Sequence, residues 1–256
     1  MFIPLYDSNS LRHIKMQYVT IALIAINVIV FLINSGQSDQ AAMATVLGLG
    51  YIPAVAFDYQ ELPIGYGLVP ENLTYITYAF LHGDIFHLGG NMLFLWVFGD
   101  NVEDALGHIK YLIFYLLCAV AGAALHGFVD PESTTPLIGA SGAIAGIVSA
   151  YLMLHPRVKV WVLAFGRIPL RVPAWIVLVL WIGFQFLMFF GGGEDQVSWS
   201  AHIGGIVAGA LLVMVLKRRD VPLFDKEVLT PRSVELTHES AVKPIETQPS
   251  PRWGRQ

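Results

Sequence analysis

The chain has 256 residues, 55% of them hydrophobic and only 13% charged, with a net charge of −4. An ordinary soluble domain carries about 25% charged residues, so this chain lacks the polar groups to cover its apolar surface in water, and its mean hydropathy of +0.60 says the same. The small net charge gives no footing for a nucleic-acid partner, and the lone Cys118 excludes an internal disulfide.

In chain order, residues 1–17 (MFIPLYDSNSLRHIKMQ) do not read as a cleaved signal peptide, because the apolar run comes late and continues like a full span. Uncharged apolar runs then predict six membrane helices: Tyr18–Ile33, Ile85–Gly99, Tyr111–Phe128, Leu137–Leu154, Pro173–Phe190 and Trp199–Leu216. Asp84 stands where it would cap the second helix and suit its dipole, which leaves Leu73–Leu81 to a partly membrane-associated loop. The long connection 34–83 carries Gly-Leu-Gly and Gly-Tyr-Gly turns among aromatics and is expected to lie on the membrane surface. Residues 220–256 are rich in Pro and charge, a composition that predicts a disordered tail. The expected fold is thus all-α: a polytopic bundle of six transmembrane helices over residues 18–219, with no internal repeat.

The cations orient this bundle. Arg12 and Lys15 precede span one, Lys110 lies between spans two and three, and Arg157, Lys159, Arg167 and Arg171 lie between four and five; Lys217, Arg218, Arg219 and the remainder follow span six. The alternate loops 34–83, 129–136 and 191–198 have none of the 15 Lys and Arg and carry acidic residues instead. By the positive-inside rule both termini are cytoplasmic. With no Arg-rich transit segment in view, a bacterial plasma (inner) membrane is the expected location.

Polar side chains inside spans are costly and by default suggest function. Four require an account: His87 and Asn91, four apart in HLGGN and so on one helix face; Ser141 in GASGAIAG; and His202 in SAHIGGIVAG. At about 1.5 Å per residue, His87 lies roughly 5 Å, Asn91 roughly 10 Å, Ser141 roughly 7 Å and His202 roughly 6 Å along helices that all run inward from the outer face. The four groups therefore converge on one outer layer. A serine hydroxyl becomes a nucleophile when a base takes its proton, and neutral imidazole is the usual base. Attack on an amide creates an oxyanion that needs preorganised donors; Asn91, His87 and the Ser141 backbone N–H can supply them. Gly139 and Gly142 permit tight geometry at the serine, and Gly205-Ile-Val-Ala-Gly209 would bring span six against span four.

Each feature alone has a plainer account. Serine in a Gly/Ala-rich span usually packs or bonds to a backbone carbonyl, Asn91 could be interhelical glue, and a lone His could pair with a neighbour. His82 and Asp84 are placed at the interface, where polar groups need no special reason. Other classes fit less well. A transporter would place ionisable groups near the midplane or broken helices in matching halves, and neither is seen. A zinc site lacks HExxH, and His82-x-Asp84-x-x-His87 has an awkward spacing for one metal, so neither a metal nor another cofactor is expected. Haem would need paired histidines at matching depth, which His87 and His202 could offer. A catalytically inactive protein that binds transmembrane clients is the remaining alternative.

HGDIFHLGGNMLFLWVFGDNVEDALG, GASGAIAG and AHIGGIVAG, in this order and topology, resemble the second helix, the nucleophile motif and the sixth helix of the rhomboid intramembrane serine proteases. The likeness covers about residues 18–216. It implies a dyad of Ser141 and His202 without an acidic third member, an oxyanion hole lined by His87 and Asn91, and substrates that are single-pass membrane proteins cut in or beside their spans. Two departures stand out. Family members often carry an aromatic residue four after the serine that packs on the imidazole, whereas this chain has Ala145. Some bacterial members have a Trp-Arg pair in the first outer loop, and residues 34–83 contain neither residue type.

Overall fold

The computed structural model describes residues 2–164, 166–192 and 197–225. Its elements, in order, are β1 (Phe2–Asp7), α1 (Tyr18–Ser35), α2 (Asp39–Leu49), α3 (Pro53–Ala56), α4 (Thr74–Thr77), α5 (Ile85–Leu106), α6 (His108–Val129), α7 (Ser141–Leu154), β2 (Lys159–Ala164), β3 (Ile168–Pro173), α8 (Ala174–Gly191) and α9 (Trp199–Leu216). Among the described residues α1, α6, α8 and α9 are long and apolar enough to cross a membrane. α5 is as long as α6 but less apolar, with His87, Asn91, Asp100, Asn101, Glu103 and Asp104 along it. α7 is an apolar helix of 14 residues.

The expectation of an all-α chain needs correcting. β1, β2 and β3 form a three-stranded antiparallel sheet. β2 alternates in burial, with Val160, Val162 and Ala164 inward, and that period of two is what a half-buried strand shows. A search for long uncharged runs passes over so short a segment. β1 joins it across a bulge between Pro4 and Tyr6, so the segment ahead of α1 is tied into the sheet. Its last residue, Asp7, is buried and accepts hydrogen bonds from Tyr151 Oη (2.7 Å) and Asn101 Nδ2 (2.9 Å). Burial pushes this carboxyl up to about 6.

The end of α5 fastens the N-terminal segment. The Glu103 carboxylate accepts from the Val19 and Thr20 amides (3.0 and 2.8 Å) and from the Thr20 hydroxyl (2.7 Å). Asp104 accepts from the amides of Arg12, His13 and Ile14 (3.0, 2.7 and 2.7 Å). Buried carboxylates are tolerable when so fully hydrogen-bonded, and Glu103 also suits the positive end of the α1 dipole.

Glycine sets the spacing of the central helices. A Cβ added to Gly205 of α9 would run into the Gly142 carbonyl oxygen of α7, and one on Gly209 would run into the Gly146 carbonyl oxygen. On its other side α9 meets α6: a Cβ on Gly122 would lie 2.9 Å from the Ala201 carbonyl oxygen. Small residues thus let three backbones touch. Ser149 Oγ of α7 adds a hydrogen bond to the Ile206 carbonyl of α9, at 2.9 Å. The segment 34–83 is not one loop but holds α2, α3 and α4, and it leaves Met43, Tyr59, Ile64 and Leu68 exposed. Of the expected tail, residues 226–256 lie outside the described residues. The Phe224 and Asp225 amides donate to the Met153 and Leu154 carbonyls at 2.6 and 3.0 Å, so the first few residues pack on the end of α7.

Candidate functional site

The site forms where three helices begin. α5 is capped by Asp84, whose Oδ1 accepts from the Phe86 and His87 amides at 2.8 and 2.9 Å. This places His87 in the first turn of α5 and Asn91 one turn further on. α7 begins at Ser141 itself, four residues later than the apolar run suggested. Residues 137–140 instead lie outside the helix and lead into it, with a two-way backbone pairing between Leu137 and Tyr51 (3.1 and 2.8 Å) and a bond from the Gly139 amide to the Tyr78 carbonyl (3.0 Å). Gly139 has φ +119, and a Cβ there would sit 2.7 Å from the His87 ring. Glycine is required twice over, by backbone conformation and by space. α9 is capped by Ser198, whose hydroxyl accepts from the Ala201 amide at 3.2 Å, and His202 follows in its first turn.

His87, Asn91, Ser141 and His202 all line one cavity of about 720 Å³, closed in by Phe86, Phe94, Ile144 and Trp181. The hydroxyl and the imidazole share this cavity without a direct hydrogen bond, a loose arrangement common in substrate-free hydrolases. The backbone contact between Gly142 and Gly205 fixes their neighbourhood, since those glycines lie one residue after Ser141 and three after His202. Ser141 begins its helix, so its backbone N–H is one of the donors an α-helix leaves unpaired. Among the described residues no group of three or more His, Cys, Asp or Glu is placed to hold a metal.

Several participants escaped the sequence reading. His82, which that reading gives no role, is 4% exposed, its Nε2 lies 3.0 Å from Asn91 Nδ2, and its ring stands 5.1 Å from that of His87. It reaches Asn91 because the chain folds back ahead of α5, and helical spacing carries no trace of that. His202, 7% exposed, is held from α8: Nδ1 lies 2.8 Å from Gln185 Oε1, and the Trp181 ring stacks on it at 6.1 Å and 30°. Trp199 meets the same imidazole edge-on at 5.9 Å. Gln185 had a legible signal, being an amide in the apolar run LWIGFQFLMFF. At the cavity wall His126 Nδ1 also meets the Ser198 and Ser200 hydroxyls, at 2.9 and 3.1 Å.

A helical protein with membrane-crossing segments, in which Ser141, Asn91, His87 and His202 open on one cavity, is the class that this geometry defines. The rhomboid domain profile matches residues 70–219, more than half of the chain, and the chain belongs to the rhomboid family. It is 34% identical over 154 residues to RHOMBOID-like protein 12, mitochondrial, of Arabidopsis thaliana, covering 54% of this chain and 44% of that protein. It is 30% identical over 151 residues to Rhomboid protein 1, mitochondrial, of Saccharomyces cerevisiae, covering 56% and 41%. Rhomboid protease GluP of Bacillus subtilis is 29% identical over 157 residues, covering 60% and 28%. The chain thus spans half or less of the length of these relatives. Two of the three are named as mitochondrial, so they lend no support to the expected bacterial plasma membrane.

Proposed function

We propose that this protein is an intramembrane serine endopeptidase in which Ser141 is the nucleophile and His202 the general base. The observation that carries this reading is the cavity shared by Ser141, His202, Asn91 and His87, contributed by three separate helices. In the proposed reaction the imidazole takes the hydroxyl proton while the serine oxygen attacks the scissile carbonyl. Asn91, His87 and the Ser141 backbone N–H stabilise the resulting oxyanion. His202 then gives its proton to the leaving amine as the C–N bond breaks, and afterwards takes one from the water that hydrolyses the acyl-enzyme.

The reading extends to topology. α5 and α7 join α1, α6, α8 and α9 as six spans within residues 18–219, both termini face the cytoplasm, and 220–256 forms a cytoplasmic tail. The cations between the spans support this orientation. Substrates are then single-pass membrane proteins cut in or beside their spans near the outer face. Support for the activity also comes from membership of a family that includes a named protease.

The test is labelling of the detergent-solubilised protein by a fluorophosphonate probe, with Ser141→Ala and His202→Ala alongside. Labelling of wild type alone is expected. Folded wild-type protein that resists this and a broader serine-reactive probe would instead be a membrane protein that binds transmembrane clients without cutting them.

A further inference from the structure

We infer that Gln185 and Trp181 are positioning residues for the imidazole, Gln185 locking His202 in the tautomer protonated at Nδ1 and Trp181 setting the plane of the ring. The inference rests on the role proposed above for His202 as base.

The tautomer follows from the amide of Gln185. Its Nε2 donates to the Trp181 carbonyl one turn back, at 3.0 Å. That bond settles which way the amide faces, so the atom turned toward the imidazole is the oxygen, which can only accept. At 2.8 Å from Gln185 Oε1, His202 Nδ1 is therefore the protonated nitrogen. Nε2 is left as the free base. Which imidazole nitrogen carries the proton is decided by the bond the other makes, so a side chain that touches no reacting atom determines which nitrogen can accept the serine proton. Gln185 is itself 2% exposed and His202 7%, so the bond lies away from the molecular surface.

Trp181 completes the arrangement. Residues 181 and 185 are one turn apart and share a face of α8, and the indole stacks on the ring whose Nδ1 the amide holds. The room comes from Ala145. This small residue packs with Ile203 and Ile206, and Trp181 and Ile182 of α8 fill the space beside them. The imidazole thus takes its stacking partner from α8 rather than from the turn after Ser141. Trp199, from the helix of His202 itself, supplies only an edge contact.

The test combines ¹⁵N spectra of histidine-labelled protein in detergent with steady-state cleavage of a transmembrane-segment peptide, for wild type, Gln185→Leu and Gln185→Glu. The His202 signals are assigned by their loss in His202→Asn. Wild type should show a protonated Nδ1 and an unprotonated Nε2. Gln185→Leu, similar in size but without an acceptor, should populate the other tautomer and lower kcat by up to about 10⁴-fold, the cost of a histidine base held in the wrong tautomer, with KM unchanged. Gln185→Glu keeps an accepting oxygen and should restore the wild-type tautomer and most of kcat. A wild-type imidazole protonated at Nε2 overturns the inference, even if the Leu variant does not fold. So do equal kcat values for wild type and a folded Gln185→Leu. Failure of wild type to react with the serine probe sinks the protease reading instead, and the tautomer measurement still reports on the Gln185 bond.

Discussion

α7 and α8 are both apolar helices that reach the same site, yet they are built in opposite ways. α7 buries eleven of its 14 residues, most of them small, and its glycines let α9 come into backbone contact. α8 buries four of 18, namely Ala174, Val177, Leu178 and Gln185, and turns Val179, Leu180, Phe184 and Leu187 outward. Hydrophobicity alone does not separate them, because lipid accepts apolar surface as readily as a protein interior does. What separates them is side-chain size. The comparison assigns the serine to the tightly packed helix and the partners of the histidine to the loosely packed one.

Substitutions on the site and on the two helices test this difference. The largest effect is expected at Ser141: Ser141→Ala should cut turnover by about 10⁶-fold with an unchanged melting curve, since it removes a single oxygen at a residue that lines the cavity. Cleavage assays and thermal melts read the two halves of that statement. Asn91→Ala should lower turnover by about 100- to 1000-fold, the usual cost of one oxyanion donor; unchanged turnover removes Asn91 from that role.

Smaller effects test the packing itself. Gly205→Ala should destabilise the fold by about 1–3 kcal/mol through overpacking against the Gly142 carbonyl. On α8, Leu187→Ala, at a side chain turned outward, should stay within about 0.5 kcal/mol. Equal losses at the two positions would erase the contrast between the helices.

A pH-dependent effect is expected at the sheet. Asp7 is held near 6 in the folded chain against an ordinary 3.8. The folded state therefore binds this proton more tightly, and the stabilisation it confers is complete below about 4 and lost as pH rises through 6. The difference in melting temperature between wild type and Asp7→Asn should fall over that interval. A difference independent of pH would mean that Asp7 does not titrate there.

The six apolar runs each coincide with a helix, and for Trp199–Leu216 the boundaries agree at both ends. They were legible because a continuous apolar stretch needs no knowledge of its neighbours. α7 was misjudged at its start, because Leu137–Ala140 is as apolar as the helix behind it. It pairs with Tyr51 and Tyr78, contacts that no local pattern records. The sheet was missed for the same reason: β1 and β2 are separated by most of the chain, and neither is long enough to announce itself.

Composition and local period suffice to read the apolar character of the chain, its charge asymmetry, its helices and the polar residues Ser141, His202, Asn91 and His87. Three-dimensional packing is needed to see that His82 reaches Asn91, that Gln185 and Trp181 contact the imidazole, and that residues 137–140 precede the helix rather than belong to it. Those outcomes depend on which backbones can touch. That is settled by glycines on different helices acting together, and no single segment contains the information.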